Sequence, residues 1–502
     1  MTVLAHRRTA PDANDGLARD ALAVLQPGFE GTTAPAWLLR QVSEGLTAVG
    51  LFGRNIASPE QLAALTAQLR GERDDILVAI DEEGGDVTRL EVRGGSSFPG
   101  NLALGAVDDV DLTRDVAREL GRRLAGCGVN LNWAPSADVN SNPDNPVIGV
   151  RSFGADTQLT ARHTAAYVEG LQAAGVAACT KHFPGHGDTN VDSHHALPRI
   201  DVDLDTLTAR ELVPFRAAIE AGTKAVMSAH ILVPALDPTR PATLSPQILT
   251  GLLRKELGYD GLIVTDGMEM NAIAGTYGIE RGSVLAIAAG ADAICVGGGL
   301  ADENTVLRLR DALVAAVREG ALPEERLAEA AARVRSLAEW TRQVRQGARL
   351  EGSSAPGIGL AAARRAVVVT GSPAAAAPVN APYVATLTPV ANIAVGDETP
   401  WGVAGELAAL IPGTESGVYP QGSGAGDILA AAGSRTVVAV VRDAHRHPWM
   451  TEALDALVAA RPQTIVVEMG LPRAEPRGAL HIATHGAARV CGRSAAEIIA
   501  GV

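Results

Sequence analysis

The sequence predicts an α/β protein, a (β/α)8 barrel of TIM type followed by a smaller open α/β sandwich domain, and three observations carry that prediction. Eight short β-branched apolar runs alternate with longer amphipathic stretches over the first two-thirds of the chain, the pattern of a parallel sheet covered by helices. Nearly every run stays apolar until its last one or two positions and then turns polar. A stretch rich in Gly, Ser and Pro, "GARLEGSSAPGIG", then separates these runs from a second set that begins near Ala361.

The eight runs are Leu22 to Gly28, Leu46 to Gly53, Ile76 to Gly84, Val129 to Val139, Val176 to Gly185, Lys224 to Ile231, Leu262 to Met268 and Ala291 to Gly298. Between them lie segments such as "DLTRDVARELGRRLAGCG" and "QLTARHTAAYVEGLQAAG", each ending in Gly as a helix C-terminus should. The barrel is therefore placed at residues 1–346, the linker at 347–360 and the second domain at 361–502. In the second domain the runs "RAVVVTG", "RTVVAVVRD", "QTIVVEMG" and "LHIATHG" again alternate with helical segments. Its histidines, in "DAHRHP" and "HIATHG", read as structural or surface residues.

Size and charge narrow the functional classes. At 502 residues the chain exceeds what one hydrophobic core organises, in keeping with two domains. A net charge of −14 with no Lys/Arg-rich run argues against nucleic acid or an anionic membrane as partner. The first residues, "MTVLAHRRTAPDANDG", lack an apolar signal core, and no later run is long enough to span a bilayer, so a cytoplasmic location is expected. Cys127, Cys179, Cys295 and Cys491 are widely spaced and read as free buried thiols.

The polar strand ends converge on chemistry. Asp81, Asn132, Lys181 with His182, His230 and Asp266 all fall at C-terminal ends of runs, the face on which such barrels build their sites. The run at Lys181 continues into "KHFPGHGDTNVDSHH", Lys181 to His195, with four histidines and two aspartates. As a metal site the spacing fits poorly, because Pro184 and Gly185 prevent His182 and His186 from pairing on a helix. As a phosphate cradle it lacks the GxxxxGK[ST] order.

A proton-transfer loop fits better. Asp192 and His194, two residues apart on an extended segment, face the same side and can hydrogen-bond. The carboxylate then sets the imidazole tautomer and leaves the other nitrogen as a general acid/base. His194 could instead only shape the loop, and Asp266 could instead cap the following helix. A carboxylate nucleophile facing an acid/base group is the arrangement of retaining glycoside hydrolysis.

The stretches "LFGRN", "DEEGGDVTRL", "VIGVRSFG", "KHFPGHGDTNVDSH", "VMSAHI" and "IVTDGMEM" resemble glycoside hydrolase family 3 β-N-acetylglucosaminidases of the NagZ type, in order along the whole barrel. The resemblance implies Asp266 as nucleophile, His194 as acid/base and Asp192 as its orienting partner. It implies sugar-binding positions at Asp81, Arg89, Arg151, Lys181 and His182. His230 is expected to line the same mouth or to be a satisfied buried histidine.

Implied too is removal of terminal β-linked N-acetylglucosamine from cell-wall muropeptide or chitobiose-type sugars, with no metal or organic cofactor. Inorganic phosphate is the alternative acceptor to water, because a neutral imidazole would not repel it and Lys181, Arg89 and Arg151 would attract it. One departure stands out: Asp86 occupies the place of a customary arginine, so local ion pairing should differ.

Overall fold

The computed structural model describes residues 13–191, 197–347, 354–371, 379–390, 395 and 398–502. Asp192 and His194 lie outside the described residues. All eight expected barrel strands form: β1 (Leu25–Pro27), β2 (Ala48–Leu51), β3 (Leu77–Ile80), β4 (Leu131–Asn132), β5 (Ala177–Phe183), β6 (Ala225–Ser228), β7 (Leu262–Thr265) and β8 (Ile294–Val296). Strands β2 to β7 pair in sequence order and in parallel, and β1 pairs with β8. A bridge between Val264 and Ala293 joins β7 to β8, while β1 lies beside β2. The strands are buried on both faces, which explains why they read as continuous apolar runs rather than alternating ones.

Two apolar cores follow from that geometry. Ala48, Leu77, Ala79, Leu131, Cys179, Ala225, Leu262 and Val264 fill the barrel interior, and the opposite faces of the same strands pack on the surrounding helices through Val49, Val78, Ile80, Val226 and Ile263. All four cysteines are buried free thiols.

The second domain is an open six-stranded sheet in the order β11-β10-β12-β13-β14-β9. Its strands are β9 (Val368–Gly371), β10 (Tyr383–Thr388), β11 (Glu415–Pro420), β12 (Val437–Val441), β13 (Ile465–Glu468) and β14 (Leu480–Ala483). All pairs are parallel except β14 with β9, which is antiparallel at the sheet edge. The sequence shows β9, β12, β13 and β14 as apolar runs.

The helix Glu324–Gly347 follows the last barrel strand and runs up to the expected linker. The expected linker is partly structured: Ser354 and the Ala355 amide donate to Glu119, and the helix Ile358–Ala366 begins inside it. That helix belongs to both units, since Ala362 joins the barrel core and Ala363 the core of the second domain. The second domain is thus fastened to the barrel rather than tethered beside it.

Candidate active site

The C-terminal ends of the strands open into a cavity of about 600 Å³. That volume is in the range of small-ligand sites. Asp81, Arg89, Arg151, Lys181, His182 and Asp266 all line it. Six of the nine residues singled out in the sequence therefore meet at one mouth.

Its floor is a buried ion cluster built on the segment after β3. Lys181 places its Nζ 2.5 Å from Asp81 Oδ1 and 2.7 Å from Glu83 Oε1. Arg151 grips the same Glu83 through Nη2 at 2.7 Å and Nε at 3.0 Å. Arg89 Nη2 lies 3.4 Å from Asp81 Oδ2. Burial alone would push the Glu83 carboxyl up, but Arg151 and Lys181 outweigh it and hold the group well below the usual carboxylate range. Burial opposes the charge on Lys181, yet Asp81 and Glu83 prevail and raise its pKa. Both cations are thus kept charged out of water.

Neighbouring residues on one strand normally face opposite sides, yet Lys181 and His182 both line the cavity. The pairing of β5 with β6 shifts register between Thr180 and Phe183, which re-aims the strand end. Asp138, buried behind this end, accepts from His182 Nδ1 at 2.7 Å, from the His182 and His186 amides at 3.2 and 2.7 Å, and from the Ser136 hydroxyl at 2.9 Å. Burial would raise Asp138, but His182 and the amide donors bring its pKa down to about 2. The Nδ1 proton is therefore committed to Asp138, and His182 Nε2 faces Arg151 Nη2 at 3.3 Å.

The segment "DEEGG" assigns one task to each acid. Asp81 meets the cavity, Glu83 holds the two cations, and Glu82 accepts the Arg89 and Leu90 amides at 2.7 Å each, fixing the loop that carries Arg89. Asn132 locks the same segment by exchanging hydrogen bonds with the Glu82 backbone at 2.7 and 3.0 Å.

Asp266 stands one residue beyond β7 and opens into the cavity, with Oδ1 accepting the Gly267 amide at 2.8 Å. His230 does not line the mouth. It is fully buried, sharing a 2.9 Å hydrogen bond with Thr243 and donating from Nε2 to the Gly267 carbonyl at 2.9 Å. Both ring nitrogens are thus engaged, the arrangement of a satisfied buried histidine. It braces the backbone next to Asp266.

Sequence reasoning missed Glu83, Asp138, Trp133, Phe52 and His186. Trp133 and Phe52 form an aromatic wall, ring centroids 6.3 Å apart, with the Trp133 indole N–H buried and without a partner. His186 is buried and lines the cavity with neither ring nitrogen hydrogen-bonded. Burial, with His182 nearby, lowers its pKa to about 4, so the ring is neutral at neutral pH. Asp138 carried a usable signal, since it follows β4 at the polar end of its run.

The unusual Asp86 is also placed. Its carboxylate pairs with Arg442 of the second domain and accepts the Ala487 amide at 2.7 Å. The second domain also reaches the cavity, to which Val395 and Glu398 contribute. Among the described residues no three His, Cys, Asp or Glu side chains group as a metal ion would need.

The cations of the floor are engaged by carboxylates, so the potential they offer an incoming anion is largely cancelled. This weakens the case for phosphate as acceptor. What remains is a carboxylate facing a polar, hydrogen-bonding floor beside an aromatic wall, an arrangement suited to holding a sugar against a nucleophile.

Known proteins resemble this chain in sequence and in fold. Residues 34–337 match the model of the glycosyl hydrolase family 3 N-terminal domain. "Beta-hexosaminidase A" of Pseudoalteromonas piscicida is 37% identical over 332 residues, 61% of this chain and 55% of that protein, so the chain spans about half of that relative's length. "Beta-hexosaminidase" of Chromobacterium violaceum is 38% identical over 253 residues, 49% of this chain and 70% of the relative. A family 3 β-N-acetylglucosaminidase from Paenibacillus superposes with a TM-score of 0.85 at 36% identity, covering 97% of this chain and 96% of its own. With the family model covering most of the barrel and both domains superposing, the chain belongs to glycosyl hydrolase family 3.

Proposed function

We propose that the protein is a retaining exo-β-N-acetylglucosaminidase that removes a terminal β-linked N-acetylglucosamine through a glycosyl-Asp266 intermediate. The observation that carries this reading is the Asp266 carboxylate opening into a cavity whose floor is the Asp81–Lys181–Glu83–Arg151 cluster. The hexosaminidase names of the relatives and the Paenibacillus structure support the choice of sugar.

The terminal sugar sits on the floor, where Asp81 accepts from its hydroxyls and Arg89 and Lys181 donate. His182, with its Nδ1 proton held by Asp138 and its Nε2 turned to Arg151, borders the sugar as part of the floor. Asp266 attacks the anomeric carbon. His194, oriented by Asp192, protonates the departing oxygen and then removes a proton from water as the intermediate is hydrolysed. Chitobiose-type and muropeptide-type sugars in the cytoplasm are the proposed substrates, and water is the proposed acceptor.

The test compares an aryl β-N-acetylglucosaminide with the matching aryl β-glucoside, with and without chelator. The reading expects strong preference for the former and no loss on chelation. Equal rates on the two sugars would remove the N-acetyl assignment, and inactivation by chelator would point to a metal-dependent hydrolase. Asp266→Ala should abolish turnover while sugar binding persists, whereas near-native turnover would end the retaining reading.

A further inference from the structure

The cavity changes character from floor to rim. At the floor, Arg151, Lys181 and His182 are almost fully buried and their charges are matched. More exposed among the lining residues are Arg54, Glu269, Gly298, Gly299 and, from the second domain, Glu398, which form the rim. Since an exo-acting site holds its terminal sugar at the closed end, the leaving group must lie across this open rim.

Arg54 is the rim's cation, and its donors are engaged. Nη1 and Nε donate to the Gly298 and Phe29 carbonyls at 3.1 Å each, Nη2 donates to the Gly297 carbonyl, and Nε lies 3.1 Å from Glu30. Three carboxylates face it: Glu30, Glu269 and Glu398. Glu269 spends Oε1 on the Gly297 and Gly298 amides, while its Oε2 is buried and without a partner.

Glu398 stands close in because residue 53 is glycine. Its Oε2 lies 3.0 Å from where a β-carbon on Gly53 would be, so a side chain there would push the carboxylate away.

We propose that the second domain completes the leaving-group side of the site with Glu398, which together with Glu269 selects neutral sugars and disfavours those bearing a carboxylate. The inference rests on the exo-β-N-acetylglucosaminidase reading and names its substrate class: chitobiose-type leaving groups over anionic muramyl-type ones. An anionic leaving group would bring a charge toward two carboxylates with no uncommitted guanidinium on Arg54 to receive it. Repulsion of this kind between partly solvated charges is modest and screened by salt.

The experiment uses the full chain and two disaccharides that differ only in charge. Each carries a terminal β-1,4-linked N-acetylglucosamine on a muramic-type sugar, one with its lactyl group as free acid and the other as primary amide. At low ionic strength kcat/KM should favour the amide by about three- to tenfold, and added salt should narrow the gap. In Glu398→Gln the preference should shrink, and in Glu398→Lys it should vanish or invert. Because each enzyme is its own reference, a general loss of activity does not disturb the ratio.

Equal rates for acid and amide in the wild type, or an acid-to-amide ratio unchanged in both variants, would overturn the proposal. Failure of the wild type on these disaccharides, on N,N′-diacetylchitobiose and on aryl β-N-acetylglucosaminide alike would overturn the proposed function, and this inference with it. Turnover of the aryl substrate with equal acid and amide rates would overturn the inference alone.

Discussion

Asp86 of the barrel and Arg442, just past β12 of the second domain, form an ion pair buried where the two domains meet. Burial works against the Asp86 charge and leaves its pKa raised, although Arg442 and the Ala487 amide pull it back. The pair is joined by His445, whose Nε2 donates to the Pro143 carbonyl at 3.1 Å, and by the apolar contact of Leu471 with Leu102 and Val150. Removing one partner strands a buried charge, which costs about 3–5 kcal/mol. Asp86→Ala and Arg442→Ala should each lower unfolding stability by that order, and the double variant should cost less than their sum. Urea denaturation of the three variants checks this, and additive losses would show that the two side chains do not act as a pair.

Glu83 should matter to both stability and substrate affinity. Glu83→Gln leaves Lys181 and Arg151 without their shared counter-charge, a loss of about 3–5 kcal/mol by the same reasoning. With the floor disordered, KM should rise. The pH dependence follows from sign: the folded-state pKa of Glu83 lies below its unfolded value, so its contribution is fully present above the unfolded pKa and fades only as pH falls toward the depressed folded one. Wild type should therefore keep this advantage over Glu83→Gln between pH 7 and pH 5, as paired denaturation curves would reveal.

His186 predicts acid sensitivity in a higher window. Its folded pKa is lowered to about 4 from 6.5 by burial first and by His182 second. The unfolded chain takes up the proton before the folded one does, so stability falls as pH drops from about 6.5 to about 4, by on the order of 3 kcal/mol at the lower end. His186→Gln removes the titrating group. Its stability should decline less steeply over that interval, and parallel curves for the two proteins would refute the assignment.

The barrel was legible because its strands, buried on both faces, leave unbroken apolar runs with polar ends. β10 and β11 of the second domain were not. β11, "ESGVYP", is a mostly exposed edge strand held by backbone pairing with β10, so its side chains carry no apolar signal. β10, "YVATLT", is buried but short and mixes alanine and threonine with larger residues. In the site, residues that reach the cavity from strand ends could be named, whereas Glu83 and Asp138 act on other side chains and become visible only when Arg151 and His182 arrive from elsewhere in the chain. The partner of Asp86 lies 356 residues away, beyond any local pattern.

Phosphate should compete poorly with water. Lys181, Arg151 and Arg89 are each paired with Asp81 or Glu83, and the rim is acidic. With an activated aryl glycoside and rising phosphate, product analysis should show free N-acetylglucosamine as the dominant product. Accumulation of N-acetylglucosamine 1-phosphate as the main product would make the enzyme a phosphorylase.

The residues that lead into the proposed acid/base segment are held firmly. Asp138 holds the His186 amide, Asn145 donates to the His186 and Gly187 carbonyls at 2.9 and 3.0 Å, and Arg210 pairs with Asp188 at 2.6 Å. Gly187 passes so close to the backbone that follows β4 that a β-carbon would sit 1.7 Å from the Val139 carbonyl oxygen, so no other residue fits there. Past this segment, the Ile200 amide donates to the Leu232 carbonyl and the Leu232 amide donates to the Pro198 carbonyl. With its ends set, loss of the Asp192 carboxylate should act on His194 rather than on the fold. Asp192→Ala should then lower turnover of substrates with poor leaving groups by about 10²–10⁴, the usual worth of general acid–base catalysis. Activated aryl glycosides, which need little protonation on departure, should lose far less. The measurement is kcat/KM across aryl leaving groups of graded acidity: a steeper dependence in the variant than in wild type supports the dyad. An equal loss across the series would mean that Asp192 only shapes the loop.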